Sequence, residues 1–323
     1  MMEQQSALAI EARGLVKVFG TTRAVDGVDL SVPSGRIYAL LGPNGAGKTT
    51  IINMLTTLLK PDGGSAKIFQ HDVLRETQVV RQLISVTGQS AAVDEKLSGH
   101  ENLTIFAMLL GFSRAAANRR ATELLEEFGL ADAADRTLEK YSGGMRRRLD
   151  LASSMIVQAP LIFLDEPTTG LDPRTRLQMW DIIRRLVSTG STIVLTTQYL
   201  DEADQLADRV AVIDQGKVVA EDTPRNLKAA IGRVTLHMQF VDEKDVEGAA
   251  RITEEILGVR ASVSDPQQVT APMTNPEKVT DLLIALRGAD IRLVSVSMQE
   301  PTLDEAFLVL TGGSKQVEAT ARQ

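Results

Sequence analysis

Eight residues, Gly42-Pro43-Asn44-Gly45-Ala46-Gly47-Lys48-Thr49, stand between an apolar run, Ile37–Leu41, and a helix-forming run, Thr50–Leu59. A strand, a glycine-rich turn and a helix in that order form a phosphate loop. Glycines let the backbone curl so that successive N–H groups converge on phosphate oxygens, and the helix adds its positive N-terminal end. Lys48 supplies a point charge for β- and γ-phosphates, and the Thr49 hydroxyl is placed to ligate Mg²⁺.

The rest of the chain agrees with an α/β domain built on a mainly parallel sheet. Ile37–Leu41, Leu161–Leu164, Thr192–Thr196 and Val210–Asp214 are short apolar runs bounded by Gly, Pro or polar residues, and they read as buried strands. Ala9–Phe19 and Val25–Val32 are more polar and alternate, which predicts an antiparallel flank. Helix formers dominate from about 90 to 157, including the amphipathic run Arg114–Phe128, so this stretch is expected as a helical insertion. A boundary is expected near Gly232, giving a first domain over 1–232. Residues 233–312 then read strand, helix, strand, helix, strand, a small α+β module, and 313–323 read as a flexible tail.

Other residues extend the phosphate chemistry. Leu161-Ile162-Phe163-Leu164-Asp165-Glu166 is an apolar strand ending in two acids. Asp165 suits Mg²⁺, through water, and Glu166 suits polarisation of an attacking water; the plain alternative is an acidic strand cap. Tyr141-Ser142-Gly143-Gly144-Met145 opens a helical run, where Ser142 can cap and the glycines admit phosphate.

Together with Pro167-Thr168-Thr169-Gly170-Leu171-Asp172-Pro173, those residues resemble the signature motif and D-loop of ABC ATPases, and Gln89 resembles the Q-loop glutamine. Val86–Gln89, Tyr141–Leu149, Thr197–Asp204 and Leu303–Leu308 are similar to the daunorubicin/doxorubicin-resistance ATPase group. The resemblance implies a P-loop NTPase of the ABC ATPase type, carrying ATP and Mg²⁺. It places ATP on Gly42, Pro43, Asn44, Gly45, Ala46, Gly47, Lys48, Thr49 and Thr50, with Phe19 stacking on adenine and Gln89 also among the ATP-binding residues. It places the metal on Thr49, Gln89 and Asp165, and catalysis on Glu166, Lys48 and Gln198. Ser142, Gly143, Gly144 and Asp172 would serve the opposite face of ATP in a second copy of the chain. A separate multi-span membrane permease would be the moving partner, holding the chain at the cytoplasmic face of the cell membrane for export of a drug-like or hydrophobic compound.

Two positions depart from the general ABC pattern. Met145 stands where the signature usually has Gln, and Gln198 stands where the switch residue is usually His. An amide can donate to a phosphate but cannot become cationic. Glu166 is intact, so an active ATPase is expected.

Composition narrows the alternatives. With 35 Lys plus Arg against 42 Asp plus Glu, the formal net charge is −7, which disfavours a nucleic-acid partner. The absence of Cys excludes disulfides and thiol chemistry. No run of ~18 apolar residues is present, and Met1–Ile10 lacks a basic leader. Arg146–Arg148 read as a solvated helix face, and His71, His100 and His237 as surface or packing residues. A soluble ABC ATPase acting on ribosomes or DNA is the competing reading; a phosphate-loop kinase would leave Ser142–Gly144 unexplained.

Overall fold

The computed structural model describes residues 7–87, 93–231, 234–273 and 275–320. The chain divides into two compact units between Pro224 and Arg225. That division precedes the expected boundary at Gly232, which itself lies outside the described residues.

In the first unit, β1 (Leu8–Phe19) and β2 (Thr22–Pro33) form a long hairpin, followed by β3 (Ile37–Leu41) and α1 (Lys48–Leu55). Next come β4 (Gly63–Ile68), β5 (His71–Asp72), α2 (Thr77–Leu83) and β6 (Ile84–Thr87). The helical segment contains α3 (Gly99–Leu109), α4 (Arg114–Glu127) and α5 (Gly143–Ser154). The unit ends with β7 (Leu161–Asp165), α6 (Pro173–Ser188), β8 (Thr192–Thr197), α7 (Leu200–Leu206), β9 (Arg209–Asp214) and β10 (Lys217–Asp222).

Two sheets result. One is antiparallel in the order β2-β1-β4-β5, and the other runs β10-β9-β3-β8-β7-β6. In the second sheet every neighbour pair is parallel except the β9–β10 edge. Strands β3, β7 and β8 are buried along their whole length, as their unbroken apolar or Thr-rich composition demands. Ile10, Leu15 and Leu30 of the antiparallel sheet share one core with Ile51 and Ile52 of α1 and Phe163 and Val194 of the parallel sheet. This core clamps α1, and hence the turn before it, against the sheet.

The carboxyl ends of neighbouring parallel strands define where a ligand can sit. Pairing of Leu41 with Thr197 and of Asp165 with Thr196 puts the ends of β3, β8 and β7 side by side. Residues distant in sequence, 42–49, 165–166 and 198, thereby converge.

In the helical segment α3 starts with a capping box, Ser98 with Glu101, and α4 is capped by Ser113. The amphipathic run buries Leu124, Leu125 and Phe128. Tyr141 is buried, and its hydroxyl donates to the Ala133 carbonyl at 2.8 Å. A Cβ on Gly99 would lie 2.3 Å from that hydroxyl, so glycine at the head of α3 makes room for the residue that introduces Ser142.

From Pro224 the chain continues through α8 (Pro224–Ile231), β11 (Thr235–Phe240), α9 (Val246–Leu257), β12 (Ser262–Asp265), β13 (Gln268–Pro272), α10 (Lys278–Gly288), β14 (Leu293–Gln299) and α11 (Leu303–Thr320). The sheet order β12-β13-β11-β14 is antiparallel throughout. Its core gathers Leu236, Met238 and Phe240 of β11 with Ala249 and Leu257 of α9 and Leu282 and Leu286 of α10. Strand β12, adjoining Ala261 and too short to show a period, is an addition to the expected pattern. Helix α11 runs to Thr320, across the stretch expected as a tail.

Tyr141→Phe is expected to lower stability by about 0.5–1.5 kcal/mol, because the Ala133 carbonyl loses one of two donors and keeps the Arg136 N–H at 3.0 Å; chemical denaturation followed by fluorescence would register it as a lower midpoint.

Candidate active site

The phosphate loop leaves β3 and enters α1 as the sequence requires. Gly47 sits at φ 105°, and a Cβ there would lie 2.4 Å from the Ala24 carbonyl. A Cβ on Gly42 would lie 2.2 Å from the Ile213 carbonyl. Both glycines therefore admit neighbouring backbone that any other side chain would displace. The loop borders a cleft of about 210 Å³ lined by Ala24, Asn44, Gly45, Gly47, Lys48, Thr49, Thr50 and Glu166.

Lys48 is nearly buried and folds back on the loop, its Nζ donating to the carbonyls of Gly42 at 2.7 Å and Pro43 at 3.0 Å. Burial draws its pKa below the ordinary lysine range, while Glu166 and Asp165 oppose that shift. The Thr49 hydroxyl reaches both oxygens of Asp165, at 3.1 and 3.0 Å. Thr196 Oγ1 donates to the same carboxylate at 2.5 Å. A hydroxyl beside a carboxylate is the hard oxygen set that Mg²⁺ takes, so Thr49 and Asp165 fit the metal. Gln89 lies outside the described residues.

Glu166 follows β7 at φ 50°, a left-handed backbone unusual for a residue with a side chain. Its N–H donates to Thr196 Oγ1 at 2.9 Å, and its Oε2 accepts from Thr169 Oγ1 at 3.1 Å. Gln198 follows β8 and is partly exposed. Phe19 is half exposed at the end of β1 with Lys17 Nζ 5.6 Å from its ring centre.

Ser142 caps α5, accepting from the Met145 N–H at 3.3 Å, with Gly143 and Gly144 in the first turn. A Cβ on Gly144 would meet Thr175 Cγ2 at 2.4 Å, so this glycine lets α5 approach α6. Asp172 caps α6, accepting from Thr175 Oγ1 at 2.6 Å and Thr175 N–H at 3.0 Å, and these bonds hold its carboxyl below the usual range. The head of α5 faces a separate cleft of about 440 Å³, lined in part by Gly143, Arg147, Asp150, Thr169 and Glu166. Glu166 thus borders both clefts, whereas the phosphate loop borders one and Gly143 the other.

Residues 25–169 match the family model for ABC transporters. The chain is 54% identical over 312 residues to the daunorubicin/doxorubicin resistance ATP-binding protein DrrA of Streptomyces peucetius, covering 96% of this chain and 94% of that one. The chain belongs to the ABC transporter ATP-binding family. Identity is 43% to the doxorubicin resistance ATP-binding protein DrrA of Mycobacterium tuberculosis H37Rv, over 94% of each chain. It is 33% to the linearmycin resistance ATP-binding protein LnrL of Bacillus subtilis, over 94% of this chain and 98% of that one. A solved ATP-binding cassette of an ABC transporter in its ADP conformation superposes with a TM-score of 0.62 at 26% identity, covering 68% of this chain and 92% of that chain. This ABC protein is accordingly an ATPase that uses Mg²⁺.

Two features of the ABC site escaped the sequence reading. Arg146–Arg148 are not a solvated face: Arg146 donates to the Leu138 carbonyl, Arg147 to those of Asp165, Glu166 and Pro167, and Arg148 to that of Phe128. Runs of one charge carry no signal of which carbonyls they will meet. Glu202, in the first turn of α7, is fully buried; its Oε1 accepts from Thr168 Oγ1 at 2.8 Å and Trp180 Nε1 at 3.2 Å. It ties the turn after Glu166 to α6 and to the helix after Gln198. His71 contacts Glu76, His100 Thr122 and His237 Gln268, and no metal-holding cluster of His or acids occurs among the described residues.

Burial pushes the Glu202 carboxyl above the usual range, and its donors pull it back only in part. The stability contributed by a carboxyl shifted this way is complete below the unfolded carboxyl's pKa of about 4.3 and is lost as pH rises through the higher folded value. Glu202→Gln keeps the acceptor without the ionisation, so its melting temperature relative to wild type is expected to climb as pH rises above the unfolded carboxyl's range, a window opening near about pH 5. Thermal scans across that window check the sign; a falling difference would show an ionised Glu202.

Proposed function

We propose that this chain is the ATP-hydrolysing subunit of an exporter, in which two copies close head to tail around ATP and drive a separate multi-span permease at the cytoplasmic face of the membrane. The observation that carries the reading is the placement of Glu166 between two clefts, one bearing the phosphate loop and the other the signature glycines. A single copy presents both half-sites on different walls, so a second copy completes each.

Within one composite site, the amides of Gly42–Thr50 and the Lys48 ammonium bind the phosphates, and Phe19 stacks on adenine. Thr49, Asp165 and Gln89 would hold Mg²⁺, which would neutralise phosphate charge. Glu166 orients water for attack on the γ-phosphorus, the bond to the β-γ bridging oxygen breaks, and ADP and phosphate result. The Gln198 amide donates to the γ-phosphate. Ser142, Gly143 and Gly144 of the second copy contact the far side of ATP, with Asp172 setting α6 beside them. Loss of these contacts after hydrolysis reopens the pair.

Drug-like or hydrophobic cargo is supported by relatives bearing daunorubicin, doxorubicin and linearmycin resistance names. Those names give no support to the ribosome- or DNA-acting alternative. No helix among the described residues is long and apolar enough to cross a membrane, so passage through the bilayer is assigned to the permease. The end of α3 exposes Ile105, Met108, Leu109 and, just beyond it, Leu110. Three of these share a helix face, and such a row suits an apolar permease surface. The second unit is assigned a regulatory or dimer-stabilising role.

Glu166→Gln with ATP and Mg²⁺ is expected to shift the full-length chain from monomer to dimer in light scattering, and Lys48→Ala to remain monomeric without turnover. A strictly monomeric Glu166→Gln protein defeats the sandwich. Leu109→Glu is expected to leave nucleotide-driven dimerisation intact while reducing copurification of the permease at least about tenfold, the effect of ~1.4 kcal/mol in binding; undiminished copurification would move the docking surface elsewhere.

A further inference from the structure

The three arginines after the signature glycines are an unexpected feature of the cleft wall, and the central one reaches furthest. Arg147 lies in α5, and its side chain is 15% exposed. Its Nη2 donates to the Asp165 carbonyl at 2.9 Å and the Glu166 carbonyl at 3.1 Å, while Nε donates to the Pro167 carbonyl at 3.1 Å. Nη1 pairs with Asp150, one helical turn on, at 3.4 Å, and that carboxylate is only 10% exposed. One planar guanidinium therefore grips three consecutive carbonyls, those of the two site acids and the following proline. A rigid fork transmits displacement in a way that a single flexible ammonium cannot.

The two ends of this link serve different catalytic centres if the head-to-tail pairing holds. Ser142–Gly144, at the head of α5, contact the ATP bound by the second copy, whereas Glu166 acts on the ATP bound by its own chain. We propose that Arg147 is a positioning residue that couples the two centres. When the head of α5 engages phosphate at one, Arg147 sets the backbone of Glu166 at the other. The receiving segment is suited to such control: Glu166 sits at φ 50°, held from the opposite side by Thr196 Oγ1. A small shift of three carbonyls there re-aims the carboxylate without touching the phosphate loop. This inference rests on the ATP-sandwich reading and assigns that site its internal regulation.

Arg147→Lys keeps a cation beside Asp150 but cannot span the three carbonyls. In the full-length chain its kcat for ATP is expected to fall about tenfold, a barrier change of ~1.4 kcal/mol, with KM within about twofold. Any Hill coefficient above one should fall toward one. A loss of packing alone would lower the melting temperature while leaving kcat per folded molecule and the Hill coefficient in place. Arg147→Met combined with Asp150→Leu removes both buried charges together and serves if the lysine variant does not fold; the same loss of kcat is expected. Wild-type kcat and cooperativity in either folded variant overturn the proposal. In the Glu166→Gln background, Arg147→Lys should still dimerise with ATP and Mg²⁺. Failure of Glu166→Gln alone to dimerise would indict the sandwich itself, whereas dimerisation by both with unchanged Arg147→Lys turnover would indict Arg147 only.

Discussion

The turn after β7 is held in a conformation it would not adopt alone, and the site depends on that hold. A left-handed residue with a side chain costs on the order of 1–3 kcal/mol and persists where its surroundings over-determine it. Around Glu166 the surroundings do so. Thr196 Oγ1 takes its N–H, Arg147 takes its carbonyl, and Thr169 Oγ1 donates to its carboxylate. Glu202 steadies the next step of the turn through Thr168. The parallel sheet supplies the frame, since β8 and β7 are neighbours and bring Thr196 opposite Asp165.

Charge balance follows from the same convergence. Lys48, Asp165 and Glu166 occupy one small region that burial makes unfavourable for any isolated ion. Thr49 and Thr196 donors on Asp165, together with the carbonyls of Gly42 and Pro43 on Lys48, keep these groups partnered before nucleotide arrives. Binding a polyanion with its metal then exchanges partners rather than creating charge in a dry cleft. This explains why the loop glycines must be as bare as they are. The Ala24 and Ile213 carbonyls occupy the space that a Cβ on Gly47 or Gly42 would need.

Much of this was legible because local chemistry dictates it. Strands β3, β7 and β8 announce themselves by short apolar or β-branched runs, and the glycine spacing before Lys48 has few other uses. What stayed hidden was anything set by long-range register. Thr196 reads as an ordinary strand residue until β8 is laid beside β7, and Glu202 reads as a surface acid of a short helix until α6 brings Trp180 over it. The β4 and β10 strands were missed for a related reason: Gly63-Gly64-Ser65 has little β propensity and is drawn into the sheet by pairing with β1. The arginine run was misread because a sequence shows charge, whereas partners are supplied by the fold.

Gln198 and Met145 alter the site in one direction. Each removes a group on which an ABC site usually relies for handling the γ-phosphate: a titratable imidazole in the first case, a side-chain amide in the second. What remains at these two positions is uncharged at every physiological pH, so neither can supply a proton or a cation as hydrolysis proceeds. The burden passes to permanent charges and to geometry. Lys48 provides the first, and the second is the aim of Glu166, fixed by backbone contacts more than by its own side chain. A site with less adjustable chemistry at the phosphate gains more from mechanical control of its base. In the proposed head-to-tail pair the Arg147 fork would exert that control, since it joins the helix opened by the signature glycines to the turn that carries the carboxylate.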